Sequence, residues 1–190
     1  MFNITPKMMA AIFWPKVKQN WNEDILKYLP DENRTSVNDI TALNLNAIVK
    51  MFDVKRIIEI GTFKGRSTIA MAMDADEIHT CDSEYFEDLK NEKIKQYHMR
   101  SPQMLEKLEG IFDLVFLDGR LSKDDVPHLK RLCGEKTIIC MDDFEGIEKG
   151  TYNAIVLFNA ELINTSVLIY PGEDNLAVIL PQAVMRFSRQ

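Results

Sequence analysis

From Lys55 onward, short runs rich in β-forming residues alternate with segments of helical length. This alternation is typical of parallel strands joined by crossover helices, because a parallel connection needs a dozen or more residues. The runs that we predict as strands are Arg56–Ile60, Glu77–Cys81, Lys95–Met99, Phe112–Leu117, Thr137–Met141, Ser166–Tyr170 and Leu176–Leu180. The helices predicted between them are Ser67–Met73, Tyr85–Glu92, Pro102–Leu108, Ser122–Leu132 and Gly146–Leu162.

The last two strand runs depart from this alternation. Only residues 171–175 separate them, which is too short for a parallel crossover, so they must pair antiparallel. The pattern therefore predicts an α/β fold with a mostly parallel seven-stranded sheet, helices on both faces and one antiparallel strand near the C-terminus.

Residues 1–55 have a different pattern and are predicted to form a helical extension. We expect Pro6, Pro15 and Pro30 to interrupt its helices, because proline lacks the backbone N–H and restricts its predecessor. The last helix of the extension has the clearest spacing, and Ser36 with a following acid resembles a capping box.

Several large apolar residues of this extension have more than one possible structural role. Core packing is the default expectation, and a lid over a substrate or a homo-oligomer surface are the alternatives. The residues are Met8, Met9, Phe13, Trp14 and Trp21.

Composition limits the function classes. The chain has 190 residues, enough for one ordinary domain, and a net charge of -6 without a Lys/Arg cluster, so a nucleic-acid substrate is disfavoured. No apolar run approaches the roughly 18 residues that a membrane span needs. The three cysteines form no Cys-x-x-Cys pair, which favours reduced thiols and a cytoplasmic location.

A glycine turn follows the first predicted strand. Gly61 allows a sharp turn, and Gly65 is expected to remove a side chain where the turn comes closest to a ligand. The Gly-x-x-x-Gly spacing differs from the dinucleotide and P-loop patterns, so a role in holding phosphate is disfavoured.

Two acidic residues accompany this turn. Glu59 lies near the carboxyl end of the strand, where it suits a cationic amino group. Asp82 ends the next strand about twenty residues after Gly61, where a carboxylate can accept hydrogen bonds from both ribose hydroxyls. The alternative is structural: the glycines serve only a tight turn, and Asp82 caps a helix that starts near Ser83.

These segments resemble class I S-adenosylmethionine-dependent methyltransferases, particularly the small-molecule O-methyltransferase branch. Glu59-Ile-Gly-Thr-Phe-Lys-Gly-Arg-Ser-Thr is similar to the family's first motif, and Thr80-Cys-Asp-Ser to its ribose-binding strand end. Met99-Arg-Ser-Pro-Gln-Met-Leu resembles the turn beside the adenine, and Phe112-Asp-Leu-Val-Phe-Leu-Asp-Gly the fourth strand. The resemblance covers roughly residues 50 to 145 and implies a Rossmann-like cofactor domain over residues 56–190.

The resemblance also implies which residues bind S-adenosylmethionine. The segment from Glu59 to Ser67 would line the methionine part, Asp82 the ribose and Ser101 the adenine edge. The full implied set is Glu59, Gly61, Thr62, Phe63, Gly65, Ser67, Asp82, Ser83, Ser101 and Asp118.

Three further acids are predicted to meet at the carboxyl edge of the sheet. Asp118 ends the fourth strand, and Asp142 and Asp143 end the fifth. Such a set suits Mg²⁺, which would bind a substrate hydroxyl and lower its pKa. The arrangement resembles metal-dependent O-methyltransferases of the catechol type and, more closely, those acting on antibiotic sugars. Alternatively, Asp143 caps the next helix and Asp118 orients its own turn.

The acceptor side departs from the resemblance. The sugar-modifying relatives commonly read Asp-Gly-Asp-His-Ser where this chain reads Asp118-Gly-Arg-Leu-Ser, so the histidine that would serve as a base is missing. Arg120 cannot take over, because its guanidinium does not deprotonate. We therefore assign no catalytic base.

Three hypotheses about function remain. The leading one is methyl transfer to a small-molecule hydroxyl with a metal on Asp118, Asp142 and Asp143. The second is a metal-independent methyltransferase or another enzyme that consumes S-adenosylmethionine, and the third is a non-catalytic S-adenosylmethionine-binding protein.

Overall fold

The computed structural model describes residues 6–31, 36–163, 166–170 and 176–181. A 3-10 helix, Glu23–Tyr28, follows the first of the α-helices, which are α1 Pro6–Gln19, α2 Asp39–Met51, α3 Arg66–Ala72, α4 Ser101–Lys107, α5 Asp125–Leu132 and α6 Gly150–Asn159. The strands are β1 Arg56–Ile60, β2 Glu77–Asp82, β3 Ile94–His98, β4 Phe112–Leu117, β5 Cys133–Met141, β6 Ser166–Ile169 and β7 Ala177–Pro181.

The strands form one seven-stranded sheet in the order β3-β2-β1-β4-β5-β7-β6. Strands β1 to β5 pair in parallel, whereas β7 runs antiparallel to both β5 and β6. This confirms the predicted fold class, including the single reversed strand. The predicted connection at residues 171–175 lies outside the described residues.

Helices cover both faces of the sheet, as predicted. Consecutive residues of β1 point to opposite faces, so Ile57 belongs to one hydrophobic cluster and Ile58 to the other. The first cluster includes Leu45 of α2, and the second includes Leu129 of α5. Burial on both faces explains why β1 and β4 read as nearly continuous apolar runs.

The N-terminal extension packs against the first cluster. Phe13, Trp14 and Val17 of α1 are buried, which agrees with the core-packing expectation for the first two, whereas Met8 is exposed. Pro6 begins α1, but Pro15 lies inside it, so the predicted break at Pro15 is wrong. We attribute the intact helix to the burial of Trp14 and Val17 on either side of Pro15, which offsets the hydrogen bond that proline cannot donate.

Two local predictions about helix α2 and the segment after β2 are also wrong. The N-cap of α2 is Asn38 rather than Ser36, because the Asn38 side chain accepts the Thr41 N–H at 2.8 Å. The predicted helix Tyr85–Glu92 is absent, and this segment is irregular.

Long-range contacts explain the irregular segment. The ring of Phe86 packs edge-on against Phe63 at a centroid distance of 4.9 Å. The Leu89 N–H donates to Oε1 of Gln96 in β3 at 2.9 Å. These tertiary contacts use groups that a local helix would have engaged. Within the described ranges, no helix has both the length and the apolar character to cross a membrane.

Candidate functional site

A cavity of about 600 Å³ opens at the carboxyl ends of β1, β2 and β4. The chain leaves β1 toward β2 on one side and later returns to β4 on the other, and ligands of open α/β sheets bind at such a reversal. Six residues of the predicted cofactor set line this cavity: Gly61, Phe63, Asp82, Ser83, Ser101 and Asp118.

The glycine turn joins the ends of three strands. Gly61 has a φ of 105°, which favours glycine, and its N–H donates to the Cys81 carbonyl at 2.9 Å. A Cβ at Gly61 would lie 2.8 Å from the backbone nitrogen of Gly119. Glycine is therefore required here because the turns after β1 and β4 contact each other directly.

Asp82 holds the turn through its carboxylate. Oδ2 accepts the Phe63 N–H at 2.9 Å, and Oδ1 accepts the Glu84 N–H at 3.1 Å. No helix follows near Ser83 in the described residues, so the helix-capping alternative for Asp82 does not hold. Its carboxylate instead lies at the wall of the cavity.

Glu59 and its neighbours lie beneath the turn and do not line the cavity. The Glu59 carboxylate is fully buried and accepts hydrogen bonds from Ser67 Oγ at 2.6 Å and Thr68 Oγ1 at 2.5 Å. Burial raises the pKa of Glu59 to about 7 despite these hydrogen bonds. The Thr62 hydroxyl is likewise buried and hydrogen-bonds Thr80 Oγ1 at 2.6 Å.

Gly65 has a structural environment that differs from the expectation. Its φ is 78°, and a Cβ at this position would overlap the side chain of Leu89. Leu89, which belongs to the segment wrongly predicted as a helix, therefore packs against Gly65 where the sequence predicts a ligand.

The three predicted acids converge. Carboxylate oxygens of Asp118, Asp142 and Asp143 all lie within 4.8 Å of one another. The parallel register explains this, because Leu117 at the end of β4 pairs with Met141 at the end of β5. The residues that follow these two strands are thereby brought side by side.

Lys149 joins this cluster, and our sequence reasoning missed it. Its Nζ lies 3.3 Å from Asp118 Oδ1 and 3.0 Å from Asp143 Oδ2. Burial lowers the pKa of Lys149, but attraction by Asp118 and Asp143 outweighs it and holds the pKa above its ordinary value. Lys149 is therefore an ammonium in this cluster.

The acids themselves are held in an environment that disfavours their charge. Burial, followed by repulsion from Asp118 and Asp143, raises the pKa of Asp142 to about 7. Burial also raises the pKa of Asp118, against the opposing effect of Lys149. A cation beside the cluster therefore stabilises the ionised form of these acids, as Lys149 does for Asp118.

Two arginines also line the cavity. Arg120 places its guanidinium 4.2 Å from the ring centroid of Tyr152, and Arg100 lies next to Ser101. The described residues that line the cavity include no histidine.

The sheet order, the reversed β7 and a cavity beside the glycine turn make up a fold that solved methyltransferases resemble. Solved structures share it. The methyltransferase PaMTH1 of Podospora anserina, bound to S-adenosylhomocysteine, matches with a TM-score of 0.60 and 18% identity over 96% of this chain and 99% of that chain.

Two O-methyltransferases are also similar in fold. The Bacillus cereus enzyme in complex with S-adenosylhomocysteine has a TM-score of 0.53 and 17% identity, covering 93% of this chain and 98% of that chain. TomG of Streptomyces achromogenes, in complex with S-adenosylmethionine, has a TM-score of 0.55 and 18% identity, covering 87% and 89%. No protein-family model matches the chain, and no curated protein matches it in sequence.

Proposed function

We propose that this protein transfers the methyl group of S-adenosylmethionine to an oxygen of a small-molecule acceptor. The observation that carries the proposal is the Asp82 carboxylate at the cavity wall, fixed beside the glycine turn by two backbone N–H groups. Neighbours in fold that were solved with S-adenosylmethionine or S-adenosylhomocysteine support it.

Asp82 has capacity left for a ribose. A carboxylate offers about four acceptor positions, and the two described N–H donors use one on each oxygen. Each oxygen can therefore accept one further hydrogen bond, which matches the two vicinal hydroxyls of a ribose.

The remaining cofactor contacts are assigned by position along the cavity. Gly61 and Phe63 follow β1 and would face the methionine part, Ser83 lies beside the ribose acid, and Ser101 begins α4 near the adenine. Glu59 would act on the ligand's amino group only through the turn that it supports from beneath. Direct ligand contacts by Glu59, Thr62, Gly65 and Ser67 stay predictions.

The cofactor supplies a methyl group already activated on a sulfonium, so the protein's task is chiefly to position the acceptor for in-line displacement. Asp118 and Arg120 follow β4 at the same cavity. We infer that this end, between the turns after β4 and β5, holds the acceptor. Loop residues lie at this end of the cavity, and loops commonly carry the residues that bind substrates.

The three acids raise the question of a metal. Their oxygens are donors that Mg²⁺ prefers, and Mg²⁺ on Asp118, Asp142 and Asp143 would polarise an acceptor hydroxyl. The ammonium of Lys149 already contacts two of the three carboxylates, however, so the residues as arranged do not fit a divalent cation. Lys149 therefore favours methyl transfer that needs no metal, the second of the three hypotheses from the sequence.

Calorimetric titration with S-adenosylmethionine and S-adenosylhomocysteine tests the cofactor site. We expect the wild type to bind both and Asp82→Ala to bind at least about tenfold more weakly, since a paired charge-assisted contact is lost. Asp76→Ala is the matched control, because this exposed acid precedes the opposite end of the same strand. The proposed site would be refuted if the wild type gave no heat with either ligand, or if D82A and D76A bound these ligands with equal affinity.

Catalysis is tested by incubating the protein and labelled S-adenosylmethionine with a panel of hydroxylated small molecules, with and without EDTA. Methylated product supports the proposal, and insensitivity to EDTA favours the metal-independent form. Binding of the cofactor without transfer to any acceptor would favour a non-catalytic binding protein instead.

We also infer a cytoplasmic location. Cys81, Cys133 and Cys140 are all free, as expected for a protein from a reducing compartment. Formation of a homo-oligomer and the absence of a nucleic-acid substrate stay predictions.

A further inference from the structure

We infer that Lys149 is the resident cation of the acidic cluster, where its ammonium takes the place of a divalent metal ion. The contacts that place it there are the 3.3 Å approach to Asp118 Oδ1 and the 3.0 Å approach to Asp143 Oδ2. The inference rests on the proposed function only for its catalytic consequence. The exclusion of metal follows from the cluster itself.

The turn after β5 is built to deliver this ammonium. Asp143 adopts a φ of 51°, and its carbonyl accepts the Gly146 N–H at 2.8 Å, which folds the chain back toward the strand end. A Cβ at Gly150 would lie 2.8 Å from the Asp143 carbonyl oxygen and would overlap the backbone of Phe144. Glycine at this position therefore lets α6 begin against the turn, with Lys149 immediately before it.

The start of α6 fixes the same geometry from the other side. Thr151 Oγ1 donates to the Phe144 carbonyl at 2.7 Å, and the Asn153 N–H donates to the Lys149 carbonyl at 2.8 Å. The Asn153 side chain in turn donates to the Gly119 carbonyl at 2.9 Å, beside Asp118. The backbone of Lys149 is thus tied to the turns after both β4 and β5.

An ammonium and a divalent cation compete for the same oxygens. Mg²⁺ binds carboxylate oxygens at roughly 2.1 Å and demands near-octahedral geometry, so it would need oxygens that Lys149 now contacts. Two cations at such short range repel each other strongly in a partly buried site. Binding of Mg²⁺ therefore requires Lys149 to leave the cluster.

The consequence for the proposed reaction concerns the acceptor oxygen. An ammonium has three N–H donors, and the two described carboxylate contacts use two of them. Lys149 lines the cavity, so the third donor is available to an acceptor oxygen. A hydrogen bond from an ammonium would then stabilise the oxyanion that is left when the acceptor hydroxyl loses its proton to solvent, as a metal ion does elsewhere. The oxyanion takes the methyl group, and the sulfonium leaves as a neutral thioether.

Titration calorimetry with MnCl2, in the absence of any other ligand, tests the inference. The variants are Lys149→Met and Lys149→Gln, which remove the charge, Lys149→Arg, which keeps it, and Lys130→Met as the control for loss of an exposed lysine on α5. The double variant K149M/D142N tests whether any new metal affinity arises at the acidic cluster.

We expect no saturable binding of Mn²⁺ to the wild type, K149R or K130M at millimolar metal. K149M and K149Q should bind at least about tenfold more tightly, because a competing positive charge is gone. The double variant should lose this gain. Wild-type affinity equal to that of K149M would overturn the inference, and so would neutral variants that bind no better than the wild type.

Binding of S-adenosylhomocysteine, measured on each protein, checks that the variant is folded and separates the two proposals. If the metal series behaves as expected and no protein binds this nucleoside, the proposed function is wrong and the role of Lys149 stands. If S-adenosylhomocysteine binds but the metal series does not behave as expected, the cofactor site stands and Lys149 is not the resident cation.

Discussion

Glu59→Gln should change the pH dependence of stability in a defined direction. Burial raises the pKa of the Glu59 carboxyl from its ordinary value of 4.5 to about 7, against the stabilising hydrogen bonds from Ser67 and Thr68. Because the folded-state pKa lies above the unfolded one, the folded state binds the extra proton between these two values. The stability contributed by this group is therefore complete below pH 4.5 and is lost as the pH rises toward and through 7.

The size of the effect follows from the shift. At about 1.4 kcal/mol per pH unit, the wild type should lose up to about 3 kcal/mol from this group between pH 4.5 and pH 8. Glutamine has similar shape and no charge, and the hydroxyls of Ser67 and Thr68 can accept as well as donate. The stability of E59Q relative to the wild type should accordingly rise by about 2 to 3 kcal/mol between pH 5 and pH 8.

Urea unfolding at pH 5, 6, 7 and 8 measures this difference. Only the difference between E59Q and the wild type is used, because other buried acids titrate in both proteins. Glu109→Gln is the matched control, since Glu109 is exposed and should give a constant difference. Parallel pH profiles for E59Q and the wild type would refute the reasoning, since they would mean that Glu59 ionises as in water.

Three further outcomes are expected. Hydrogen bonding by Lys95 lowers the pKa of Glu77 to about 2, although burial acts in the opposite direction. The stability that Glu77 contributes is therefore present above its ordinary pKa of 4.5 and is lost as the pH falls through 2. Acid unfolding of Glu77→Gln should accordingly be less steep than that of the wild type, and an equal slope would contradict the pairing. Gly61→Ala should cost about 2 to 4 kcal/mol in urea unfolding, because its Cβ would meet the backbone of Gly119 at a positive φ, and a loss below about 1 kcal/mol would contradict this. Cys140, whose pKa is raised by burial, should react with a thiol reagent only after unfolding, and rapid labelling of native protein would show that it is accessible.

The strands were the most predictable part of the fold. β1 and β4 have the bounds that the sequence indicated, because each is a run of apolar residues that must be buried on both faces. Polar residues or turn glycines then follow at once. The chain order of these runs, together with the short connection before β7, was enough to predict the one reversed strand.

The segment between β2 and β3 was not predictable by the same reasoning. Phe86 and Leu89 are spaced as on one face of a helix, and the charged residues around them suit a solvated surface. In the structure these two side chains instead pack onto Phe63 and over Gly65. The partners are distant in sequence, so local periodicity carried no information about them.

The acidic cluster likewise has a part that the sequence predicts and a part that it does not. The convergence of Asp118 with Asp142 followed from parallel register alone. Lys149 was missed because its approach depends on the turn at residues 143–149, which requires a positive φ at Asp143 and close packing at Gly150. Neither requirement has a signature that can be read without the backbone.

Backbone hydrogen bonds at the sheet edge explain why the positions of the acids could be predicted from the sequence and the position of Lys149 could not. The Asp118 N–H donates to the Ile60 carbonyl at 3.0 Å, and the Asp142 N–H donates to the Leu117 carbonyl at 3.0 Å. Each acid is thus the first residue beyond its strand and is held by the neighbouring strand. The two strand-end acids therefore have fixed positions, as do the cofactor-side residues Gly61 and Asp82 at the neighbouring strand ends, whereas Lys149 reaches the site from a loop. Acceptor chemistry can therefore change with the loop while the cofactor side stays the same.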